Sequence, residues 1–359
     1  MNDAAFRPLA FEQLPGWRAA DFAPALDAFR RSAARILSDA PPKSGALGVS
    51  AASLRPAAHA ALRPVDDSRE FFERFFSPAL VVPEGGRRGF VTGYYEPVIE
   101  ASAERTARFT VPLHRPPPDL VPVRGETPGR LPEGFAFARR QADGSLVEHP
   151  DRAAIARGFL DGRGLEIAWL EDPVDAFFIH VQGSARLKLT DGRTIRVGYA
   201  AKTGHGFTAI GRILVNEGEL VLEKADMDGI RAWLATNPDR VRGLLDRNRS
   251  YIFFEPREIE DESLGPPGAA GVPLTPLASL ALDHRLHTFG MPLFLHAPSL
   301  VIEGVPFARP MVVQDTGSAI TGPARGDIFV GSGAAAGSLA GAVRHAADFY
   351  ALLPKAPAP

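Results

Sequence analysis

Apolar residues recur at helical spacing in two places in the first quarter of the chain. The first predicts a helix that begins after Asp21 as its cap and ends near residue 37. Its apolar face consists of Leu26, Phe29, Ala33 and Leu37. A shorter helix is predicted to follow Asp67, because Asp67 and Glu70 match a capping box. The apolar face of this helix, which we assign to the core, consists of Phe71, Phe72, Phe75 and Phe76.

Alternating and continuous apolar runs predict strands in the middle of the chain. Residues 89–95 alternate as in a strand, and the apolar run at 174–181 predicts a buried strand. Residues 186–190 and 194–197 predict a hairpin around an Asp-Gly turn. Short strands are expected again after residue 250. Helices are predicted near residues 207–217, 228–236, 238–247 and 334–353.

The composition is that of an ordinary folded protein. Its 359 residues suffice for two domains, and 45% of them are hydrophobic and 23% charged. With 40 Lys and Arg against 42 Asp and Glu, the charge favours neither nucleic acid nor an anionic membrane as a partner. The absence of Cys excludes disulfides, thiol nucleophiles and a lipid-attachment cysteine. No signal-peptide pattern starts the sequence, and no apolar run approaches the ~20 residues of a membrane span.

Two acids flank a loop in residues 311–331, MVVQDTGSAITGPARGDIFVG. Short strands are predicted on both sides, and the Gly-, Pro- and Thr-rich loop brings their ends together. We therefore expect Asp315 and Asp327 at the rim of one sheet. Burial beside the apolar residues that follow Asp327 would raise the pKa of its carboxyl, as a general acid requires, although a turn cap is the structural alternative. Asp315 is expected to bond backbone amides of the turn after it, or to take part in chemistry.

Two other functions suggested by local motifs are disfavoured. Asp-Thr-Gly-Ser at 315–318 matches the aspartic peptidase signature, but such an enzyme needs a second motif for its carboxylate pair, and none is present. His284, His287 and His296 suggest a metal site, but no His-Glu-x-x-His motif accompanies them. We expect surface or hydrogen-bonded histidines and no metal.

The stretch at 311–331 resembles the C-terminal three-aspartate (3D) domain of the membrane-bound lytic transglycosylase A (MltA) family. The resemblance rests on Q-D-T-G-S-A-I-x-G followed by G-D-I-F-x-G-x-G. Further blocks resemble the family in the same order and extend the likeness over residues 70–350. They are GYYEP at 93–97, LEIAWLEDPVDAFFIHVQG at 165–183, VGYAAKTGHGFTAIGR at 197–212, NRSYIFFE at 248–255 and TPLASLALDHRLHTFG at 275–290.

The resemblance implies a fold that is mainly β with flanking helices. Residues 1–97 and 249–359 would form a double-psi β-barrel domain with N-terminal helices, which carries the catalytic acid. Residues 98–248 would form a smaller inserted β-barrel domain. A glycan strand is expected to bind in a groove. The barrel domain would form one wall of this groove, and the inserted domain would form the other.

The resemblance also implies the site residues. Asp327 would be the single catalytic acid and base, with Asp315 and Asp283 as supports that order the site. Tyr94 and Tyr95 are expected to stack on sugar rings, unless they belong to the barrel wall. The full set of expected substrate-binding residues is Thr92, Tyr94, Tyr95, Glu96, Gln182, Ser184, Tyr199, Lys202 and Gly317.

A member of this family is expected to cleave the β-1,4 bond between N-acetylmuramic acid and N-acetylglucosamine of peptidoglycan, forming 1,6-anhydro-N-acetylmuramic acid without metal or cofactor. One alternative is a glycoside hydrolase of the same barrel fold that uses a second carboxylate. Another is a non-catalytic, expansin-like glycan-binding protein. The expected partner is a peptidoglycan strand, and the expected location is the periplasm, with attachment to the outer membrane left open.

Overall fold

The computed structural model describes residues 5–123, 131–132 and 134–356 of the protein. This part of the chain is mainly β with helices, as predicted. The helices are α1 (Ala23–Leu37), α2 (Ala51–Ala61), α3 (Ser68–Phe75), α4 (Arg152–Ala154), α5 (Pro173–Gln182), α6 (Ile210–Asn216), α7 (Met227–Thr236), α8 (Val241–Asp246) and α9 (Ala334–Ala342). The strands are β1 (Ala5–Pro8), β2 (Phe76–Val82), β3 (Gly89–Glu96), β4 (Val98–Ala101), β5 (Val111–His114), β6 (Leu120–Pro122), β7 (Phe137–Arg140), β8 (Leu146–Val147), β9 (Glu166–Leu170), β10 (Ser184–Leu189), β11 (Thr194–Lys202), β12 (Ile252–Arg257), β13 (Ser279–Ala281), β14 (Pro292–Ile302), β15 (Val305–Asp315), β16 (Arg325–Ser332) and β17 (Arg344–Pro354).

The chain divides into two compact units. The first unit comprises Met1–Tyr95 and Asp261–Pro359, and the second comprises Glu96–Glu260. The second unit is therefore an insertion between two segments of the first. Each unit has its own sheets.

Six strands of the first unit close into a barrel. Their order around the ring is β17, β14, β15, β13, β16 and β3, and β3 pairs with β17 again. Strand β17 is long enough to do this, because residues 344–347 pair with β3 and residues 348–351 with β14. Strand β2, with β1 beyond it, pairs with residues 350–354. A closed ring leaves no unpaired edge in its wall, and the predicted β-barrel is confirmed.

Helix α1 and strand β15 are joined by a buried amide. Gln314 has no exposed surface, and its Nε2 donates to the Ala28 carbonyl oxygen at 2.8 Å and to Ser32 Oγ at 2.9 Å. Its Oε1 accepts a bond from Ser279 Oγ of β13. A buried amide without partners would cost about 1–3 kcal/mol. These bonds therefore fix β15 immediately before its last residue, Asp315.

The predicted cap of α3 is confirmed, and three of the four predicted aromatic core residues are buried, whereas Phe75 is half-buried. The Asp67 carboxylate accepts bonds from the N–H groups of Arg69 and Glu70 at 2.8 and 3.0 Å. The aromatic rings of α3 and of the start of β2 pack against Phe29 of α1, which has no exposed surface. The α3 helix is thereby anchored to α1 within the first unit.

The second unit contains the predicted smaller barrel. Strands β12, β11, β10 and β4 form one sheet, and β5 and β9 form another. A bridge between Ser102 and Trp169 joins the two sheets, and β5 lies beside β12. The six strands surround one core, whose largest members are Leu113, Leu170, Leu187, Val197 and Phe254. Strands β6, β7 and β8 form a separate small sheet.

Two predicted elements are wrong. Residues 174–181, predicted as a strand, belong to helix α5, which Asp172 caps and Pro173 begins. One side of this helix packs on the core of the smaller barrel, and the other side packs on α6, α7 and α8. Its apolar run therefore shows no helical period. Of the helix predicted at 334–353, only α9 is helical, because residues 344–353 lie in β17. There, pairing with three other strands overrides the helical propensity of the alanine-rich run.

Candidate active site

Asp315 and Asp327 lie on either side of one residue of the barrel wall. Strand β13 runs between β15 and β16, and its Ala281 pairs with Asp315 on one side and with Asp327 on the other. Neighbouring strands are about 4.8 Å apart, which places the two aspartate backbones about 10 Å from each other. The two acids that the sequence placed at the rim of one sheet therefore lie at the same level of the barrel.

Strand β3 supplies a hydrogen bond to each of these acids. Thr92 Oγ1 donates to Asp327 Oδ1 at 2.6 Å, and the Tyr94 hydroxyl donates to Asp315 Oδ2 at 2.8 Å. Side chains two residues apart on a strand point to the same face, so β3 presents both hydroxyls on one side. The Tyr94 ring packs against Phe329 of β16, with 5.4 Å between ring centroids. The three strands β3, β15 and β16 thus build one polar cluster.

Asp327 has the protonation behaviour that a general acid requires. Burial raises the pKa of Asp327 to about 6, while the bond from Thr92 and the charge of Arg325 act in the opposite direction. The negative charge of Asp315 raises the pKa further. The residue as a whole is only partly buried. A carboxyl with this pKa populates both protonation states near neutral pH, which suits a group that gives and then takes a proton.

Asp315 is held by three donors. Its Oδ1 accepts bonds from the N–H groups of Ala269 and Thr316, each at 2.9 Å, and its Oδ2 accepts the bond from Tyr94. Burial raises the pKa of Asp315, and these bonds oppose the rise. The bond to the following turn, expected from the sequence, is present. Asp315 therefore connects β3, β15 and the segment around residue 269.

Asp283 orders the loop between the two acids. Its Oδ2 accepts a bond from the Gly322 N–H at 3.1 Å, and His287 Nε2 donates to the Pro323 carbonyl oxygen at 2.8 Å. Burial alone would raise the pKa of Asp283, but bonds from Arg285 and Gly322 outweigh it and lower the pKa to about 2. Asp283 is thus a charged anchor of loop 316–324, in which Gly317 is partly exposed.

Arg325 lies next to the acid on the same strand. Its Nη2 donates to Thr92 Oγ1 at 2.8 Å, and its Nη1 donates to the Gly326 carbonyl oxygen. The guanidinium also lies over the Phe90 ring, 5.8 Å from the centroid. Burial lowers the pKa of Arg325 and the charge of Asp327 raises it, so the cation and the acid act on each other.

Two of the expected substrate-binding residues on β3 are enclosed by protein. Tyr95 is 7% exposed, lies on the opposite face of β3 from Tyr94, and packs against Gly337 of α9. Glu96 has no exposed surface, and its carboxylate accepts bonds from Arg186 Nε at 2.7 Å and Arg196 Nε at 2.5 Å. The structure therefore does not present either side chain to a sugar.

The remaining expected contacts belong to the second unit. Gln182 ends α5 and Ser184 begins β10, where it is 6% exposed and pairs with Gly198. The neighbouring Tyr199 is 44% exposed, and Lys202 ends β11 half-buried. Burial lowers the pKa of Lys202. Gln182, Tyr199 and Lys202 are thus the accessible members of this group.

Within residues 5–123, 131–132 and 134–356, no three His, Asp or Glu side chains form a group that could hold a metal ion. His284 bonds with Thr316 Oγ1 at 3.2 Å, and His296 Nδ1 is 3.5 Å from Asp348. In the same part of the chain, the helices are too short or too polar to cross a membrane.

Two family models match this chain: the MltA specific insert domain at residues 90–255 and the 3D domain at residues 278–353. The crystal structure of a membrane-bound lytic murein transglycosylase from Agrobacterium tumefaciens is similar, with a TM-score of 0.91 and 45% identity over 98% of each chain. This chain belongs to the lytic murein transglycosylase A family. The 3D domain match contains all three aspartates, Asp283, Asp315 and Asp327.

Other members of the lytic murein transglycosylase A family are similar over most of the chain. The Vibrio cholerae membrane-bound lytic murein transglycosylase A is 31% identical over 269 residues, which are 73% of this chain and 65% of that relative. The crystal structure of Escherichia coli MltA with bound chitohexaose has a TM-score of 0.70 and 27% identity, over 99% of this chain and 92% of that one. The resemblance found in the sequence is confirmed.

Sequence reasoning missed two groups in the site of this MltA-family chain. They are Arg325 and the backbone N–H of Ala269. In addition, Thr92 was predicted to bind the substrate, whereas its hydroxyl bonds Asp327 in the structure. Strand alternation was a usable signal for Arg325, because a residue two positions before Asp327 shares its face. No local signal points to Ala269, whose position depends on a loop 46 residues before Asp315.

Proposed function

We propose that this chain cleaves the β-1,4 bond between N-acetylmuramic acid and N-acetylglucosamine in peptidoglycan and leaves a 1,6-anhydro-N-acetylmuramic acid end. The observation that carries this proposal is the environment of Asp327. Its carboxyl has a pKa of about 6, keeps some exposure and receives a bond from Thr92 at Oδ1. No donor in the described residues bonds Oδ2, which is therefore the oxygen that we assign to the substrate.

In the first half-reaction, Asp327 gives its proton to the glycosidic oxygen. The bond from that oxygen to C1 of the muramoyl sugar breaks, and the bonding electrons leave with the N-acetylglucosamine hydroxyl. Positive charge develops at C1 in an oxocarbenium-like state. The new Asp327 carboxylate is stabilised by the Thr92 hydroxyl and by the nearby Arg325 cation.

In the second half-reaction, the C6 hydroxyl of the same muramoyl sugar attacks C1. Its proton passes to the Asp327 carboxylate, which restores the acid, and no water is consumed. One carboxyl thus serves as acid and then as base. A pKa near the working pH is the compromise that both roles require.

We assign Asp315 and Asp283 to the support of this site. Asp315 fixes Tyr94 on β3, the strand that also carries Thr92, while Asp283 fixes loop 316–324 through Gly322. We further propose that Thr92 and Gly317 border the sugar in the first unit. In the second unit, we propose Gln182, Ser184, Tyr199 and Lys202 as sugar contacts, of which Ser184 is buried.

The hydrolase alternative is weaker because it needs a second free carboxylate. Asp315 accepts three hydrogen bonds, and Glu96 is enclosed between Arg186 and Arg196. Either acid would have to give up these bonds to act as base or nucleophile. A non-catalytic, expansin-like protein would have no use for a carboxyl such as Asp327, whose pKa of about 6 leaves it partly protonated near neutral pH.

The family relatives support a glycan as partner. The Escherichia coli MltA structure contains chitohexaose, and the relatives are named membrane-bound lytic murein transglycosylases. We therefore propose a peptidoglycan strand as the substrate of this chain and the periplasm, where peptidoglycan lies, as its location. Attachment to the outer membrane is a further proposal, and the names of the relatives say that those proteins are membrane-bound.

Mass spectrometry of the products tests the reaction. Purified peptidoglycan incubated with the protein is expected to release muropeptides ~18 Da lighter than those from hydrolysis, because the C6 hydroxyl replaces water as the acceptor. Products with an ordinary reducing end would mean that water is the acceptor and that the hydrolase alternative is correct. Absence of any cleavage would favour a glycan-binding protein.

The pH dependence of kcat/KM tests the assignment of Asp327 as the acid. Since the pKa of Asp327 is about 6, kcat/KM is expected to fall above that pH, by about tenfold per unit once the acid is mostly deprotonated. The measurement is the initial rate of muropeptide release between pH 4 and pH 9, with folding followed by circular dichroism at each pH. A rate that stays constant up to pH 9 would exclude Asp327 as the proton donor.

A further inference from the structure

We propose that Arg325 is a positioning residue, which acts through Thr92 to hold the proton of Asp327 on the oxygen that faces the substrate. This inference rests on the proposed transglycosylase function. The chain of contacts is Arg325 Nη2 to Thr92 Oγ1 at 2.8 Å, and Thr92 Oγ1 to Asp327 Oδ1 at 2.6 Å. It joins two neighbouring strands of the barrel, β16 and β3.

The direction of this chain follows from the donors. A guanidinium has five N–H donors and no acceptor, so Arg325 donates and Thr92 Oγ1 accepts. The Thr92 hydroxyl has one hydrogen. Because the Arg325 guanidinium bonds the lone pairs of the hydroxyl oxygen, this hydrogen points away from Arg325. The nearest acceptor on that side is Asp327 Oδ1. When Asp327 is protonated, its proton is therefore placed on Oδ2, the oxygen that the chain of contacts leaves free.

Arg325 is held for this role. Its Nη1 donates to the Gly326 carbonyl oxygen, and its guanidinium lies over the Phe90 ring at 5.8 Å. It reaches Asp327 through the Thr92 hydroxyl, and no direct hydrogen bond joins the two in the described residues. A direct ion pair would hold Asp327 as a carboxylate and remove the acid. The intervening hydroxyl lets Arg325 orient the acid while the carboxyl still protonates near neutral pH.

The charged and titratable groups around Asp327 come from three strands. They are Arg325 on its own strand, Tyr94 on β3 and Asp315 on β15. Burial raises the pKa of Tyr94 well above its ordinary value, so Tyr94 stays neutral during turnover. Asp315 is left unchanged in every variant of the test. A difference between these variants therefore reports on Arg325 and Thr92.

The test is a double-mutant cycle with Arg325→Gln, Thr92→Val and the combined variant, measured as pH profiles of kcat and KM. Arg325→Gln is expected to move the alkaline limb of kcat/KM upward by about one pH unit, since a cation that favours the carboxylate is lost. It is also expected to lower kcat about tenfold with little change in KM. Arg325→Lys, which keeps the charge and an N–H donor group, is expected to restore most of both.

The combined variant decides whether Arg325 acts through Thr92. If the hydroxyl carries the effect on kcat, the kcat of the combined variant is expected to equal that of Thr92→Val alone, because the second change removes a contact that is already broken. Additive losses of kcat would show that Arg325 does not act through Thr92 and would overturn the proposal. Arg87→Gln is the matched control, because it removes the same charge from an exposed position in the first unit.

A second readout does not depend on turnover. Carbon NMR of the aspartate carboxyls gives the pKa of Asp327 directly. The signal of Asp327 is assigned as the one that is absent from the Asp327→Asn spectrum. Arg325→Gln is expected to raise this pKa, and Arg325→Lys to keep it near the wild-type value. If the wild-type protein cleaves no glycan but its carboxyl follows this pattern, the proposed function fails and the coupling between Arg325 and Asp327 stands. An unchanged pKa in Arg325→Gln, in an active enzyme, would overturn the inference alone.

Discussion

Asp327→Asn is expected to reduce turnover of peptidoglycan by at least about 10³-fold, because we assign both proton transfers to this one carboxyl and each such step is worth about 10²–10⁴-fold. The substitution keeps the size of the side chain and its acceptor oxygen, so the bond from Thr92 can persist. It removes the titratable proton and the negative charge of the carboxylate, and it puts an amide NH2 group in the place of one oxygen. The measurement is the rate of release of anhydro-muropeptides by liquid chromatography and mass spectrometry.

The same variant is expected to be more stable than the wild type. The pKa of Asp327 rises from its ordinary 3.8 to about 6 in the folded protein, so the folded state binds more protons than the unfolded state between these values. Wild-type stability therefore falls as pH rises through this window, and Asn does not titrate. After allowance for solvent contact, the free energy of unfolding of Asp327→Asn is expected to exceed that of the wild type by about 1–2 kcal/mol at pH 7. The gain disappears below pH 4.

Asp39→Asn is the matched control for Asp327→Asn. It removes an exposed carboxylate of the first unit and is expected to change neither rate nor stability. An Asp327→Asn protein that is folded and retains more than a tenth of wild-type turnover would refute the role of Asp327 as the acid and base.

Glu96→Gln is expected to lower the free energy of unfolding by about 3–5 kcal/mol, because it leaves two arginines of the second unit without their buried counter-charge. Arg186 and Arg196 both bond the Glu96 carboxylate, which has no exposed surface. A neutral amide keeps the shape but loses the negative charge that pairs with both guanidinium groups, and it has one acceptor oxygen in place of two. The measurement is urea denaturation followed by circular dichroism.

Glu171→Gln is the control for Glu96→Gln. Glu171 pairs with Arg108 in the same unit, but both side chains are more than half exposed, so the expected loss is below about 1 kcal/mol. The sequence assigned Glu96 to sugar hydroxyls, and that role predicts a raised KM at unchanged stability. Such a result would contradict a structural role for Glu96.

The position of the acids could be predicted from the sequence, because the local order strand, loop, strand brings Asp315 and Asp327 to one sheet. The partners of Glu96 could not. Arg186 and Arg196 lie 90 and 100 residues later in the chain, and no local pattern reveals that they meet Glu96 in a buried cluster. Because those partners could not be identified from the sequence, Glu96 was predicted to bind the substrate together with the two tyrosines before it.

The separation of Tyr94 and Tyr95 onto different faces could have been predicted from the sequence. Adjacent residues of a strand point to opposite faces, and β3 was predicted correctly. Tyr94 consequently meets Asp315, and Tyr95 packs against Gly337. The strand predicted at 174–181 is wrong, and the apolar run itself offered no warning, because a helix that is buried on both sides carries no amphipathic signal.

The closure of the barrel through β17 sets an order of assembly. Strand β17 follows every other barrel strand in the sequence, yet it joins β14 to β3 and completes the ring. During synthesis, residues 96–260 and the strands that carry Asp315 and Asp327 emerge before the ring can close. Contacts between residues this far apart in sequence also form slowly. The ring of strands that carries Asp315 and Asp327 is thus complete only after residues 344–354 have been made.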